Sequence, residues 1–164
     1  VPSVRRTPPE SLSPRAKSHN YLNLIMADME AKAQDPESWA ILLDTRGFLT
    51  EGIGSNIFTI KDGVMYTPQE QYVLGGISRE TAIEMAQRLD IPVVTKDIDM
   101  FDAMTADEIF LTSTSLCICG VRSFQGRQIG AGNAAGPITK ALMNEYVDFV
   151  EFDWIGQYLK RLED

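Results

Sequence analysis

The sequence predicts a mixed α+β domain, an irregular barrel-like mixed sheet with helices packed on its outside. Three features lead there. Short strand-like runs outnumber helical ones yet interleave with them along the chain, which favours one mixed sheet over segregated layers. Lys61-Asp62-Gly63 and a second turn around Gly126 read as hairpin connections. At 164 residues and 44% hydrophobic composition, the chain can bury a single substantial core.

Residues 1–16 read as an extended connector. Pro2, Pro8, Pro9 and Pro14, with Arg5 and Arg6 between them, fix φ and remove amide donors, so no helix can form. Residues 17–164 read as one domain. Over residues 20–34, Leu22, Ile25, Met26, Met29 and Ala33 recur at helical spacing until Asp35-Pro36 ends the pattern, which puts Lys17 just before a helix. Residues 39–43 are a short apolar run, and residues 56–60 and 64–67 are the arms of the first hairpin. Ser78 opens a helix to about Leu89, with Glu80 in its first turn and Ala82, Met85, Ala86 and Leu89 along one stripe. Strands over 92–98 and 108–112 flank a helical turn at 100–105, and residues 121–129 form the second hairpin. Helices follow over 137–150, with Pro137 in the first turn, and over 154–162.

A net charge of −8, with dispersed Lys and Arg, opposes nucleic acid or an anionic membrane as a partner. No run approaches the roughly 20 apolar residues that cross a bilayer, so the expectation is a soluble, cytoplasmic protein. Cys117 and Cys119 read as mostly buried free thiols on one face of a strand. With His19 the sole histidine and far away in sequence, no metal site is expected. The chain opens at Val1 rather than methionine, which suggests a fragment or a processed product.

Three segments carry chemistry. In Glu51-Gly-Ile-Gly-Ser-Asn56, two glycines beside an acid and an amide mark close backbone approach to something. In Leu74-Gly75-Gly76-Ile77-Ser78-Arg79, a glycine pair runs into a helix N-terminus, where free amides and the dipole favour an anion and Ser78 adds a hydroxyl. Thr112-Ser113-Thr114-Ser115 puts four hydroxyls after a strand, well suited to phosphate oxygens. Two anion-friendly loops and an acid imply one phosphorylated ligand.

The order Glu51, Asn56, Ile57, Phe58, Met65, Thr67, Leu74, Gly76, Ile77, Arg79 resembles the signature of the class-IV, fold-type IV aminotransferases. Lys17 with Asn20 and Tyr21, residues 106–110 and residues 136–139 also resemble that family, so the likeness spans nearly the whole chain. It implies a C-terminal domain that binds pyridoxal 5'-phosphate (PLP), with residues 1–16 as the interdomain connector. The family's N-terminal domain, which supplies a phosphate-binding arginine, is absent from this chain. Lys17 would be the catalytic Schiff-base lysine, Glu51 the partner of the pyridine nitrogen, and Tyr21 that of the ring hydroxyl. Leu74 would pack on the ring, while Gly76, Ile77, Ser78, Ser113 and Thr114 surround the phosphate and Ser115 meets the substrate. The implied reaction moves an amino group between an amino-acid donor, branched-chain foremost, and a 2-oxo acid, in a homodimer. Lys17 and Tyr21 are one residue closer than in branched-chain aminotransferases, a spacing similar to D-amino-acid and R-amine aminotransferases. An aminodeoxychorismate-lyase-like enzyme and an isolated, non-catalytic PLP-fold module stay open as alternatives. The chain by itself is expected to be incomplete and inactive.

Taken singly, each residue has a plainer reading. Lys17 would be a solvated lysine, Glu51 a surface acid, and residues 112–115 a polar strand end. Asn56 would brace the glycine-rich turn, Arg79 would form a structural ion pair, and His19 would pack or hydrogen-bond.

Overall fold

Strand β3 (Ser55–Lys61) is rich in β-branched and aromatic residues, and the rest of the sheet is built on its two edges. In the computed structural model, which describes residues 1–161, one edge pairs antiparallel with β6 (Glu108–Ser113), from Asn56 opposite Thr112 to Ile60 opposite Glu108. The other edge is shared. β2 (Leu49–Gly52) takes its start, with Glu51 opposite Asn56, and β4 (Val64–Thr67) takes its end, with Lys61 opposite Val64. β1 (Ile41–Leu43) extends β2, β7 (Cys117–Gly120) extends β6, and β5 (Val93–Thr95) joins β4 in parallel. Backbone bonds from Lys96 to Thr67 (3.0 Å) and from Leu49 to Ile98 (2.8 Å) carry the far end of the sheet back to β2. The result is the irregular, barrel-like mixed sheet anticipated from sequence. β8 (Ser123–Phe124) and β9 (Arg127–Gln128) form a separate ribbon.

Alternation along β3 and β6 divides the core. Ile57, Ile109 and Leu111 point inward with Ile41, Leu49 and Ile98. Phe58 and Phe110, stacked at 4.7 Å, point outward beneath α2 (Ile77–Arg88) and α4 (Pro137–Val150), against Ala82, Met85, Ala86 and Leu142. α3 (Met100–Met104) links β5 to β6, and α5 (Trp154–Arg161) folds back on α4 through Trp154. Both hairpins have the predicted tips: Asp62 and Gly63, and Gln125 and Gly126, take left-handed φ values, matching strand twist.

Several expectations need correction. β2 was not anticipated. The predicted strand over 92–98 narrows to Val93–Thr95, with Pro92 and Lys96 still bonded to β4 at Met65 and Thr67 while Ile98 bonds Leu49 of β2 instead. α1 (Leu22–Gln34) forms, but its buried face is Leu24 and Ala27 against Ala40 and Leu42, while Leu22, Ile25, Met26 and Met29 are exposed. Cys117 and Cys119 are half-buried. The left-handed φ of 52° at Cys117 breaks the alternation, so it packs under α4 while Cys119 lies opposite Leu111. The predicted last helix reaches Leu162, which lies outside the described residues. Residues 1–16 form no helix or strand, yet they are pinned down. Ser3 donates its amide and hydroxyl to Glu30, Pro2 is buried, and Arg6 donates its amide to Leu43 (2.8 Å).

Glu108 ties the sheet to α4. Its buried carboxylate accepts the first-turn amides of Ile138 (2.9 Å) and Thr139 (2.8 Å), and Gly136 leaves room for it where a Cβ would collide with the carboxyl. Glu108→Ala strips two helix amides of their acceptor and is expected to cost about 2 kcal/mol, read as a lowered urea midpoint at unchanged slope.

Candidate active site

Residues directly opposite each other across paired strands share a face, so Glu51, Asn56 and Thr112 stand in one row across β2, β3 and β6. Each is buried, which demands partners for its polar atoms. Glu51 Oε1 accepts Arg6 Nε at 2.8 Å, and Oε2 accepts the Leu74 amide at 2.9 Å. Asn56 Nδ2 donates to the Leu74 carbonyl at 2.9 Å, so both backbone groups of Leu74 are read by neighbours in the row. Among the described residues, Thr112 Oγ1 has no partner, nor has Ser55 Oγ at the β2–β3 hairpin.

The row floors a cavity of about 360 Å³ that Lys17, Tyr21, Ser55, Leu74 and the start of α2 also line. Gly76 precedes α2 in extended conformation and makes no side-chain cap, so the first-turn amides, Ile77 and Ser78 among them, have no acceptor within the helix. Ile77 is 81% exposed, and its backbone amide is the polar group it can offer the cavity. Opposite lie Ser113 and Thr114. Ser113 Oγ accepts the Leu116 amide and sits 3.2 Å from Ser115 Oγ, which bends this loop. Ser115 is outside the cavity wall, its carbonyl accepting the Tyr158 hydroxyl.

Lys17 is exposed on the cavity rim. His19, expected to pack or hydrogen-bond, is exposed as well with its ring 5.9 Å from that of Tyr21, and its left-handed φ of 60° turns the chain from Lys17 to Tyr21 at the head of α1. Desolvation by burial pushes the Glu51 carboxyl up from its ordinary value, and the Leu74 amide, the Arg6 charge and hydrogen bond, and the Lys17 charge pull it back. Arg79, in the first turn of α2, is fully buried, within 3.6 Å of Glu70 and against Thr67 and Pro68, the structural position expected for it.

Every predicted site residue except Ser115 therefore lines one cavity. Sequence reasoning missed Arg6. Its sole local signal was an arginine pair set among prolines, which says nothing of a partner 45 residues away. Chemically, the cavity offers an amine, a clamped acid, a phenol and an open helix N-terminus, a set able to hold an anionic aromatic ligand by both ends.

The Amino-transferase class IV family model matches residues 1–124, and the chain belongs to that family. It is similar to a Methanocaldococcus jannaschii protein at 42% identity over 147 residues, covering 89% of this chain and 50% of the relative. It is also similar to the Pseudomonas aeruginosa branched-chain-amino-acid aminotransferase at 41% identity, covering 83% and 44%. Among solved structures, the Escherichia coli branched-chain amino acid aminotransferase superposes with a TM-score of 0.87 at 34% identity, covering 94% and 51%. The chain thus spans about half the length of the curated relatives it matches.

The Gly76 contact gives a direct test of the row. A Cβ at Gly76 would collide with Asn56 Oδ1, although the backbone there suits any residue. Gly76→Ala is expected to cost about 1–3 kcal/mol by overpacking, and most of that penalty should vanish in an Asn56→Ala background. Additive penalties in a urea double-mutant cycle would contradict the contact.

Proposed function

We propose that this chain is the cofactor-bearing half of a PLP-dependent aminotransferase that exchanges an amino group between an amino acid, branched-chain donors foremost, and a 2-oxo acid. The observation that carries this reading is the convergence of Lys17, Glu51 and the uncapped α2 N-terminus on one cavity. Its volume suits a ligand of PLP's size, and the two cavity-lining hydroxyls buried without partners among the described residues, Ser55 and Thr112, call for a polar occupant. A second solved branched-chain amino acid aminotransferase, at 32% identity and a TM-score of 0.83, is complexed with N-(5'-phosphopyridoxyl)-L-glutamate, which supports the same occupant here.

PLP, when bound, supplies an electron sink for negative charge at the substrate α-carbon. This chain's residues do the rest. Lys17 offers its amine for attachment and, once free, holds and returns the α-proton. Glu51 presents a carboxylate to the ring nitrogen, Tyr21 its hydroxyl to the ring oxygen, and Leu74 its side chain to a ring face. The amides of Ile77 and Ser78, the Ser78 hydroxyl, and Ser113 and Thr114 hold the phosphate, with Gly76 allowing close approach. Ser115 flanks this loop on the substrate side. A further domain and a second copy of the chain complete the site in a cytoplasmic homodimer, a reading supported by the relatives' extra length and by the exposed Leu22, Ile25, Met26 and Met29 stripe of α1. No helix among the described residues is long and apolar enough to cross a membrane.

In the full-length protein, Lys17→Ala is expected to abolish the visible absorption of the attached cofactor. Borohydride reduction should leave a pyridoxyl label on Lys17, and a label on another lysine would refute the assignment. Ser78→Ala and Thr114→Ala should each weaken PLP binding about tenfold, the loss of a hydrogen bond to a charged group, measured by fluorescence titration.

A further inference from the structure

Glu51 is held before any ligand arrives. One oxygen faces the Arg6 guanidinium at 2.8 Å and the other the Leu74 amide at 2.9 Å, with the Arg6 and Glu51 side chains only 10% and 7% exposed. Each carboxylate oxygen can accept twice, so a lone pair remains for a ligand in the cavity. Arg6 is itself fixed in place: its amide bonds Leu43, and Ser3, three residues earlier, is tied to Glu30 by both amide and hydroxyl.

We propose that Arg6 is a positioning residue that keeps Glu51 ionised, so that a proton shared between the Glu51 carboxylate and the cofactor's ring nitrogen rests on the nitrogen. The inference builds on the PLP reading above. In a site taken out of water, a carboxylate facing a protonated ring is a buried ion pair, and its desolvation favours moving the proton to the acid and leaving two neutral partners. A permanent third charge reverses that preference by stabilising the anion. Arginine suits the task because its guanidinium stays charged under all physiological conditions. Lys17 also acts on Glu51 through its charge, but attachment to the cofactor takes up its amine. Arg6 is then the remaining cation among the described residues that line the cavity and contact the acid. Burial is the largest influence on Glu51 and raises its carboxyl above the ordinary value, while the Leu74 amide and then Arg6 pull it back down.

The test uses full-length holoenzyme loaded with PLP carrying an isotope-labelled ring nitrogen, read by nitrogen NMR. Wild type is expected to give a signal of pyridinium character. Arg6→Gln should move it toward neutral pyridine and weaken cofactor binding by roughly tenfold or more, whereas Arg6→Lys should restore most of the pyridinium character. Glu51→Gln supplies the reference for a ring without its acid. A purely structural role for Arg6 would lower occupancy but leave the signal of the bound fraction where it was, and that result overturns the inference. Should Arg6→Gln fail to fold, Arg6→His replaces it. Its signal must move toward neutral pyridine as the histidine discharges between about pH 6 and 7, and a signal indifferent to that titration overturns the inference equally. Wild-type protein that binds no PLP would defeat the PLP reading itself, whereas bound PLP with an unmoved signal defeats the role of Arg6 alone.

Discussion

A carboxylate taken out of water must find donors for both oxygens, and the contacts of Glu51 join three distant parts of the chain. Arg6 belongs to the proline-rich opening segment, Leu74 to the loop before α2, and Glu51 to a strand between them. Satisfying one acid therefore fixes the opening segment against β1, sets the distance from the sheet to α2, and orients the helix N-terminus toward the cavity. Asn56 repeats the device on the Leu74 carbonyl, so this loop backbone is gripped from both sides. Buried polar networks of this kind gain little net energy per bond, but leaving any member unpaired is costly, which makes the arrangement nearly all-or-none.

The cavity itself follows from the shared edge of β3. Two strands cannot occupy the same ladder positions, so β2 bonds Ser55 and Asn56 while β4 bonds residues 59–61. The edge changes partner between Asn56 and Thr59, and the cavity's floor, with Glu51, Ser55, Asn56 and Thr112, lies on the β2 side of that change. On the β4 side, Phe58, Phe110 and Met65 fill the equivalent space beneath α2 and α4 with a dry, close-packed cluster. One continuous strand thus runs from a polar pocket into a core, and the same helix covers both. α2 offers its open N-terminus to the pocket and Ala82, Met85 and Ala86 to the core.

What the sequence disclosed divides along the same line between local and distant causes. The hairpin tips, the α2 start and the Pro137 helix depend on neighbours in the chain and were legible in composition and spacing. β2 escaped because Leu49-Thr50-Glu51-Gly52 is buried at all four positions and so carries no alternation to read. α1 was legible as a helix but not in its facing. Its larger residues mark one stripe, while Leu24 and Ala27 mark the stripe that approaches β1, and periodicity alone cannot choose between them. The motif-borne candidate residues were picked out as a set because they fall in short segments, at strand ends, turns and a helix start, whose chemistry is local. Arg6 was not, since its meaning lies wholly in a contact that only the folded sheet creates.

Charge accounting within the cavity is the last constraint. The chain is acidic overall, and the cations lining the cavity among the described residues, Lys17 and Arg6, both act on Glu51. At the opposite wall, α2 and the Ser113–Thr114 loop offer dipoles and hydroxyls but no side-chain cation. A helix N-terminus amounts to about half a positive charge, well short of balancing a doubly charged phosphate. Under the PLP reading, the two ends of the ligand are thus served by different means: full charges at the ring nitrogen, and oriented neutral groups at the phosphate. Neutral donors fix position more sharply than they supply energy, so this half of the site can define where a phosphate goes while leaving much of its charge to be met from outside the chain.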